Sequence, residues 1–408
     1  MTLNQQFSLY IKTVTTNQGV LISVFFIFMF FLIKPVLLLF LLLFSLFFFA
    51  SKDVRCISNL LVCFSSAIIA LIHSLRLPYT DLLFYVNIYN QYGSMSWLNV
   101  AAEIKVDFIF YYISKIIYHL SAGSERVFVF FWCFIIYYLL SKSILLFYKN
   151  KVINKESFIL GLFVLYFSTT FLSLASHLMR QLIAGSFFVF YLSNLYFGYK
   201  KKYLLALMAG IHFSSLIILL YPVIKNKKIF FGIISFVVFI LFTGLNPLKL
   251  IFSSIPVFNI SNLDFLMSHI NGAINKVKDD GSVPLATYFV SIVLLSFLFY
   301  FSIVKKQKNM LEIFYAFTFS FLLFNLFMPI QLLWLRFSFY QYPFYFVIFP
   351  FVFTFFMKKV KMTAIFYWIV SVLYFINFYL YFDKVAWVHK STFVNVVEFS
   401  LFDFISII

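Results

Sequence analysis

The 408-residue sequence is 64% hydrophobic and only 11% charged, yet its formal net charge is +18 at neutral pH. An apolar share so far above the roughly 45–50% of soluble domains excludes a water-soluble globule. The charge does not mark a nucleic-acid binder, because the basic residues gather in short loops between apolar runs, the pattern of a membrane protein obeying the positive-inside rule.

The apolar runs have the length of membrane-crossing helices, about 17–20 residues for a core of about 30 Å, not the ten-residue alternation of an outer-membrane barrel. In chain order they cover roughly residues 19–33, 36–50, 56–75, 127–148, 157–173, 180–198, 229–245, 286–304, 310–328, 337–357 and 362–382. The first two form a tight hairpin broken at Lys34-Pro35, since one helix through both would be about 48 Å long. No cleavable leader is expected, because the first run begins only at about residue 19 and is followed by another span. The predicted fold is an all-α, polytopic transmembrane helical bundle of about 11–13 spans, one membrane domain over residues 1–408.

Lysine clusters set the orientation. Lys52 with Arg55, Lys149 to Lys155, Lys200 to Lys202, Lys225 to Lys228, Lys305 to Lys308 and Lys358 to Lys361 are short basic loops and belong inside. Two long loops, residues 76–126 and 246–285, then lie outside, as do the short turns near residues 174–180 and 329–336. Residues 203–224 are long enough for one span but lie between two inside clusters. Two readings stay open: a re-entrant hairpin with the Ala-Gly-Ile-His stretch at its tip, or one ordinary span with a basic loop outside. Within the first outer loop, residues 104–120 are amphipathic and predict a helix lying at the interface.

Four of the five arginines, Arg76, Arg126, Arg180 and Arg336, fall on the outer side. Arg180, in SHLMRQLIAG, has His177 before it, Gln181 beside it, and small Ala184 and Gly185 one turn on. Arg336, in QLLWLRFSFYQYPF, has Tyr340 nearby. Each arginine alone suits snorkelling to headgroups; together they offer the bidentate contacts that a pyrophosphate requires. Asp81 precedes a helix-like run and suits a helix N-cap, a general base or a sugar-hydroxyl acceptor. His212, predicted at membrane depth, is either a packing residue or a base. Cys56, Cys63 and Cys133 form neither a disulfide framework nor a metal site, and no phosphate loop or nucleophile elbow occurs, so no cofactor is expected.

Asp81 and Tyr85 after an early span, RQLIAG from Arg180, LLALMAGIHFSSLIIL with His212, and LRFSFYQYPF with Arg336 together resemble the EpsG group of bacterial polysaccharide polymerases, related to the Wzy-type O-antigen polymerases. The resemblance runs from roughly residue 76 to residue 357. It implies an inner-membrane glycosyltransferase that joins oligosaccharide repeat units carried on undecaprenyl pyrophosphate, on the periplasmic face. Its expected partners are that lipid-linked oligosaccharide, the surrounding membrane lipids and a chain-length regulator protein. On this expectation Arg180 and Arg336 hold the pyrophosphate, with His177, Gln181, Tyr85 and Tyr340 around the substrate. Asp81 or another acid of the outer loop activates the acceptor, and His212 shapes or protonates the site. The alternatives are a flippase for the same lipid-linked sugar, which the lack of two similar halves disfavours, and an O-antigen ligase.

Overall fold

The computed structural model describes residues 29, 32–48, 57–79, 81–104, 106–226, 228–233, 235–236, 285–326, 337, 340–357, 363–382, 384 and 393–407. Helix makes up 86% of it, and no strand occurs among the described residues. The predicted span at 19–33 and the outer loop at 246–285 lie almost wholly outside these residues.

α1 (Pro35–Phe48) opens on a proline, tolerated at a first helical position where the missing N–H has no partner to lose. α2 (Ser58–Ser74) follows, and then the outer loop folds into three helices: α3 (Asp81–Ser94), α4 (Trp97–Glu103) and α5 (Phe108–Leu120). α5 is the amphipathic helix expected from the sequence. It buries Phe110, Ser114, Lys115 and Ile117 and exposes Phe108, Ile116 and Leu120.

Side chains fasten this outer layer. Lys115 is fully buried and donates to the Tyr92, Gly93 and Met95 carbonyls at 2.9, 3.2 and 2.5 Å. It thereby satisfies carbonyls that the end of α3 leaves without a helical partner. Its ammonium also lies 4.9 Å from the Trp97 ring centre. Tyr89 reaches the hydroxyl of Ser121 at 3.0 Å and donates to the Ser124 carbonyl at 3.2 Å, tying α3 to the start of the next helix.

α6 (Glu125–Lys149), capped by Ser124, is the central helix and packs most extensively against α2 and α9. Trp132 and Tyr137 on it are fully buried. The expected span at 157–173 is broken: α7 (Lys155–Phe167) and α8 (Thr169–His177) meet at Ser168 with a bend of 57°. The Ser168 hydroxyl accepts from Phe171 N–H at 3.3 Å, so this residue ends one helix by capping the next. Arg76, a boundary arginine by sequence, donates to the Leu172 and Ser173 carbonyls at 3.2 and 3.3 Å and so holds α8 in place.

α9 (Met179–Tyr196) is followed by α10 (Tyr203–Ile211) and a 3₁₀ helix over Phe213–Lys225, with His212 extended between them. α11 (Leu285–Phe299) runs into a π turn, Tyr300–Val304, and α12 (Leu311–Leu326) continues from the short turn Lys308–Met310. α13 (Tyr342–Met357), α14 (Thr363–Phe382), α15 (Phe393–Glu398) and α16 (Leu401–Ile407) complete the described chain.

Among the described residues, Glu125–Lys149 and Lys308–Leu326 are each long and apolar enough to cross a membrane, and the bent pair is a third candidate. Ser58–Ser74, Phe213–Lys225, Tyr288–Val304, Tyr342–Phe355 and Ile369–Phe382 are shorter apolar helices. Lipid offers little hydrophobic drive for helix association, so close approach must supply it. Gly161 and Gly185 provide it: a Cβ there would meet Pro350 at 2.5 Å and Pro343 at 3.1 Å, which brings α13 against α7 and α9.

Candidate functional site

Three chain breaks converge at the N-terminal end of α9. Arg180 occupies the first turn of α9, just after the irregular residue Leu178. Asp107 precedes α5 in the left-handed conformation, φ 58°, and its side chain makes no capping bond to its own helix. His212 is the extended residue between α10 and the 3₁₀ helix, φ −149° and ψ 103°.

The Asp107 carboxylate, freed from capping, gathers the others. Arg180 Nη1 donates to its Oδ2 at 2.6 Å, and His212 Nδ1 lies 3.3 Å from the same oxygen. The backbone N–H of Phe213 donates to Oδ1 at 2.6 Å. Side-chain exposures of 5% for Asp107, 12% for His212 and 17% for Arg180 place the charges out of bulk water, where pairing is required. Burial alone would push the Asp107 carboxyl up, but the hydrogen bond and charge of His212, the Arg180 guanidinium and the Phe213 N–H outweigh it. The carboxyl is held below the usual carboxylate range.

Aromatic residues wall the arginine. Tyr111 accepts from Arg180 Nη1 at 2.8 Å, and the guanidinium carbon lies 5.2, 5.7 and 6.0 Å from the ring centres of Tyr85, Tyr111 and Phe110. Arg180 Nε is buried and has no hydrogen-bond partner among the described residues. An ionised Asp107 fixes the imidazole tautomer with its proton on Nδ1, which leaves Nε2 as the acceptor. Ser214 Oγ lies 2.6 Å from that Nε2 and 3.4 Å from the Tyr340 hydroxyl.

Close packing makes the convergence possible. Gly210, two residues before His212, faces Ile109 of α5, and a Cβ there would collide with the Ile109 side chain. The glycine lets α10 lie against α5, so Asp107 and His212 meet.

Of the residues expected from sequence, Arg180, His212, Tyr85 and Tyr340 come together here. Asp81 stands exposed in the first turn of α3 and is not among the hydrogen-bond partners of Arg180 or His212. Gln181 is buried, its side-chain oxygen without a partner among the described residues, on a different face of α9 from Arg180. His177 ends α8, but its side chain lies outside the described residues, as does Arg336 entirely. Asp107, Tyr111 and Ser214 enter the site from the structure. The signal for Asp107 was its place, an acid directly ahead of the amphipathic stretch FIFYYISKIIYHL.

Fold and site together define an all-α membrane protein with a buried Arg–Asp–His cluster set where an outer helical layer meets the bundle. The chain belongs to the EpsG family, whose model matches residues 59–393 and so takes in every member of that cluster. The family is of the Wzy-type polymerase kind, which makes this a protein of polysaccharide biosynthesis. No curated protein and no solved structure matches the chain.

Proposed function

We propose that the protein is a multi-pass glycosyltransferase of the bacterial inner membrane. It transfers a growing glycan from undecaprenyl pyrophosphate to the next lipid-linked oligosaccharide repeat unit on the periplasmic face. The observation that carries this reading is the Asp107–His212 pair, 3.3 Å apart, with its second imidazole nitrogen facing the exposed side of the site.

The chemistry requires a base for an acceptor hydroxyl. Its oxygen attacks the anomeric carbon of the donor sugar as the bond from that carbon to the pyrophosphate oxygen breaks and the pyrophosphate leaves with the electron pair. The hydroxyl proton passes toward His212 Nε2, and the imidazolium so formed is stabilised by Asp107. Arg180 supports this arrangement by fixing the carboxylate. With Arg180 and Asp107 paired, the cluster is close to neutral before the proton arrives, which suits a base more than it suits a clamp for a multiply charged anion. Leaving-group stabilisation then falls mainly to Arg336, four residues before Tyr340 in the sequence.

The test is polymerisation of a purified undecaprenyl-pyrophosphate-linked repeat unit by the reconstituted protein. Wild type is expected to build polymer, and His212→Gln to leave single units while still inserting and folding. Polymer of undiminished length from His212→Gln would overturn the assignment. Deletion of the gene separates the remaining readings: a polymerase deletion leaves single repeat units on the final acceptor, whereas loss of a flippase or ligase removes them.

A further inference from the structure

The polar chain does not end at His212. Ser214 Oγ lies 2.6 Å from Nε2, and Ser214 is exposed, unlike the aspartate and histidine behind it. Of the serines in these helices, Ser114, Ser143, Ser193 and Ser302 each donate to the carbonyl four residues earlier, while Ser66, Ser141, Ser157 and Ser291 reach other side chains inside the buried core. Ser215, the next residue, donates to the Met208 carbonyl. Ser214 is set apart by its exposure and its imidazole partner. Its neighbours are an imidazole nitrogen and, at 3.4 Å, a tyrosine hydroxyl brought from a distant part of the chain.

We propose that Ser214 is a further catalytic residue, a hydroxyl relay between the acceptor sugar and His212. The inference rests on His212 being the base, as argued above. The imidazole nitrogen has one lone pair in the ring plane, and Ser214 already occupies it. An incoming hydroxyl therefore meets the serine oxygen first, donating to it as the serine proton moves to Nε2. The acceptor oxygen forms its bond to the anomeric carbon, and the bond from that carbon to pyrophosphate breaks. The serine ends as it began, with one proton gained and one lost, and His212 holds the net proton against Asp107. Two protons are in flight in the same step. The buried dyad keeps its place while the exposed hydroxyl meets different acceptors, with Tyr340 as a second anchor for the serine oxygen.

The experiment uses the full chain in proteoliposomes with the undecaprenyl-pyrophosphate-linked repeat unit, measuring single-turnover rates in mixtures of H₂O and D₂O. Wild type is expected to give a bowed dependence on deuterium fraction, the signature of two transferred protons. Ser214→Ala is expected to lower the rate about 10²-fold with little change in KM and to give a linear, one-proton dependence. Ser214→Thr, which keeps the hydroxyl, is expected to restore both the rate, to within about tenfold, and the bowed curve. A wild-type rate and curve in Ser214→Ala would overturn the relay, as would a trapped O-glycoside on Ser214, since that would make it a nucleophile. His212→Gln separates the two levels of argument. If it is inactive while Ser214→Ala is normal, the relay alone fails; if it is fully active, the base assignment fails and the relay with it.

Discussion

Asp107 concentrates the site's energetics in one carboxylate. It meets Arg180, His212 and a backbone N–H, and it is nearly fully buried. Replacing it by Asn removes the charge that pairs Arg180 and favours the imidazolium, so activity is expected to fall about 10²- to 10⁴-fold. Stability is expected to fall by about 3–5 kcal/mol, because the arginine loses its ionic partner. Polymer assays and thermal unfolding of the purified variant check both. The pH dependence has a definite sign. The folded carboxyl titrates below its ordinary value, so its contribution is fully present above the unfolded value of about 3.9 and is lost as pH falls through the lower folded one. The melting-temperature difference between wild type and Asp107→Asn is therefore expected not to narrow from pH 8 to pH 5 and to narrow only below about 3.9. Narrowing between pH 7 and pH 5 would mean that a different group governs the pair.

Elements bring these residues within reach through contacts that leave no room. Gly210→Ala sets a methyl group against Ile109 and is expected to push α10 off α5, costing about 1–3 kcal/mol and separating His212 from Asp107. Ile109→Ala in the same chain should recover much of the lost activity by making space, whereas a defect unchanged in the double variant would place the cause elsewhere. Lys115 works at the same scale. Lys115→Met leaves three carbonyls at the end of α3 without their donor, at about 1–3 kcal/mol for each one left buried, and should show as early proteolysis of the outer layer. The sequence revealed these elements unevenly. Apolar run lengths and the amphipathic stretch ahead of residue 120 located α2, α6, α9 and α5, because period and length are local properties. The break at Ser168 was hidden, since a serine inside an apolar run looks the same whether it bends the helix or bonds to the preceding turn. Arg180 and His212 stood out as costly residues at membrane depth. Their partner did not, because Asp107 lies 73 and 105 positions away from them in sequence, and only the fold selects it from the several acids of the outer loop.

Over the whole molecule, the route of residues 203–224 decides whether His212 sits on a hairpin tip. Inside the structure, Lys225 Nζ lies 2.5 Å from Glu312, and Tyr221 donates to the same carboxylate at 2.8 Å. Glu312 is in the first turn of α12, directly after the basic stretch Lys305, Lys306 and Lys308, which the positive-inside rule keeps in the cytoplasm. By that rule Lys225 is expected on the same side as the start of α12. Lys200 to Lys202, immediately before α10, belong on that side by the same rule. On this expectation both ends of the segment lie inside, and the nine residues of α10 rise only about 14 Å, less than a crossing of about 30 Å, before the chain breaks at His212. The extended backbone at His212 would then be the turn of a re-entrant hairpin, a place where irregular backbone is tolerated when protein covers it. Such a hairpin would carry the proposed base, His212, from the cytoplasmic side up to the site. Single cysteines at residues 225–228 are expected to react with a membrane-impermeant thiol reagent only after the cytoplasmic face is opened, and Glu312→Cys should behave the same way. Labelling of 225–228 from outside in intact cells would make residues 203–224 an ordinary span. It would then reverse the orientation of everything after it up to the next uncounted crossing, including the side on which α12 begins.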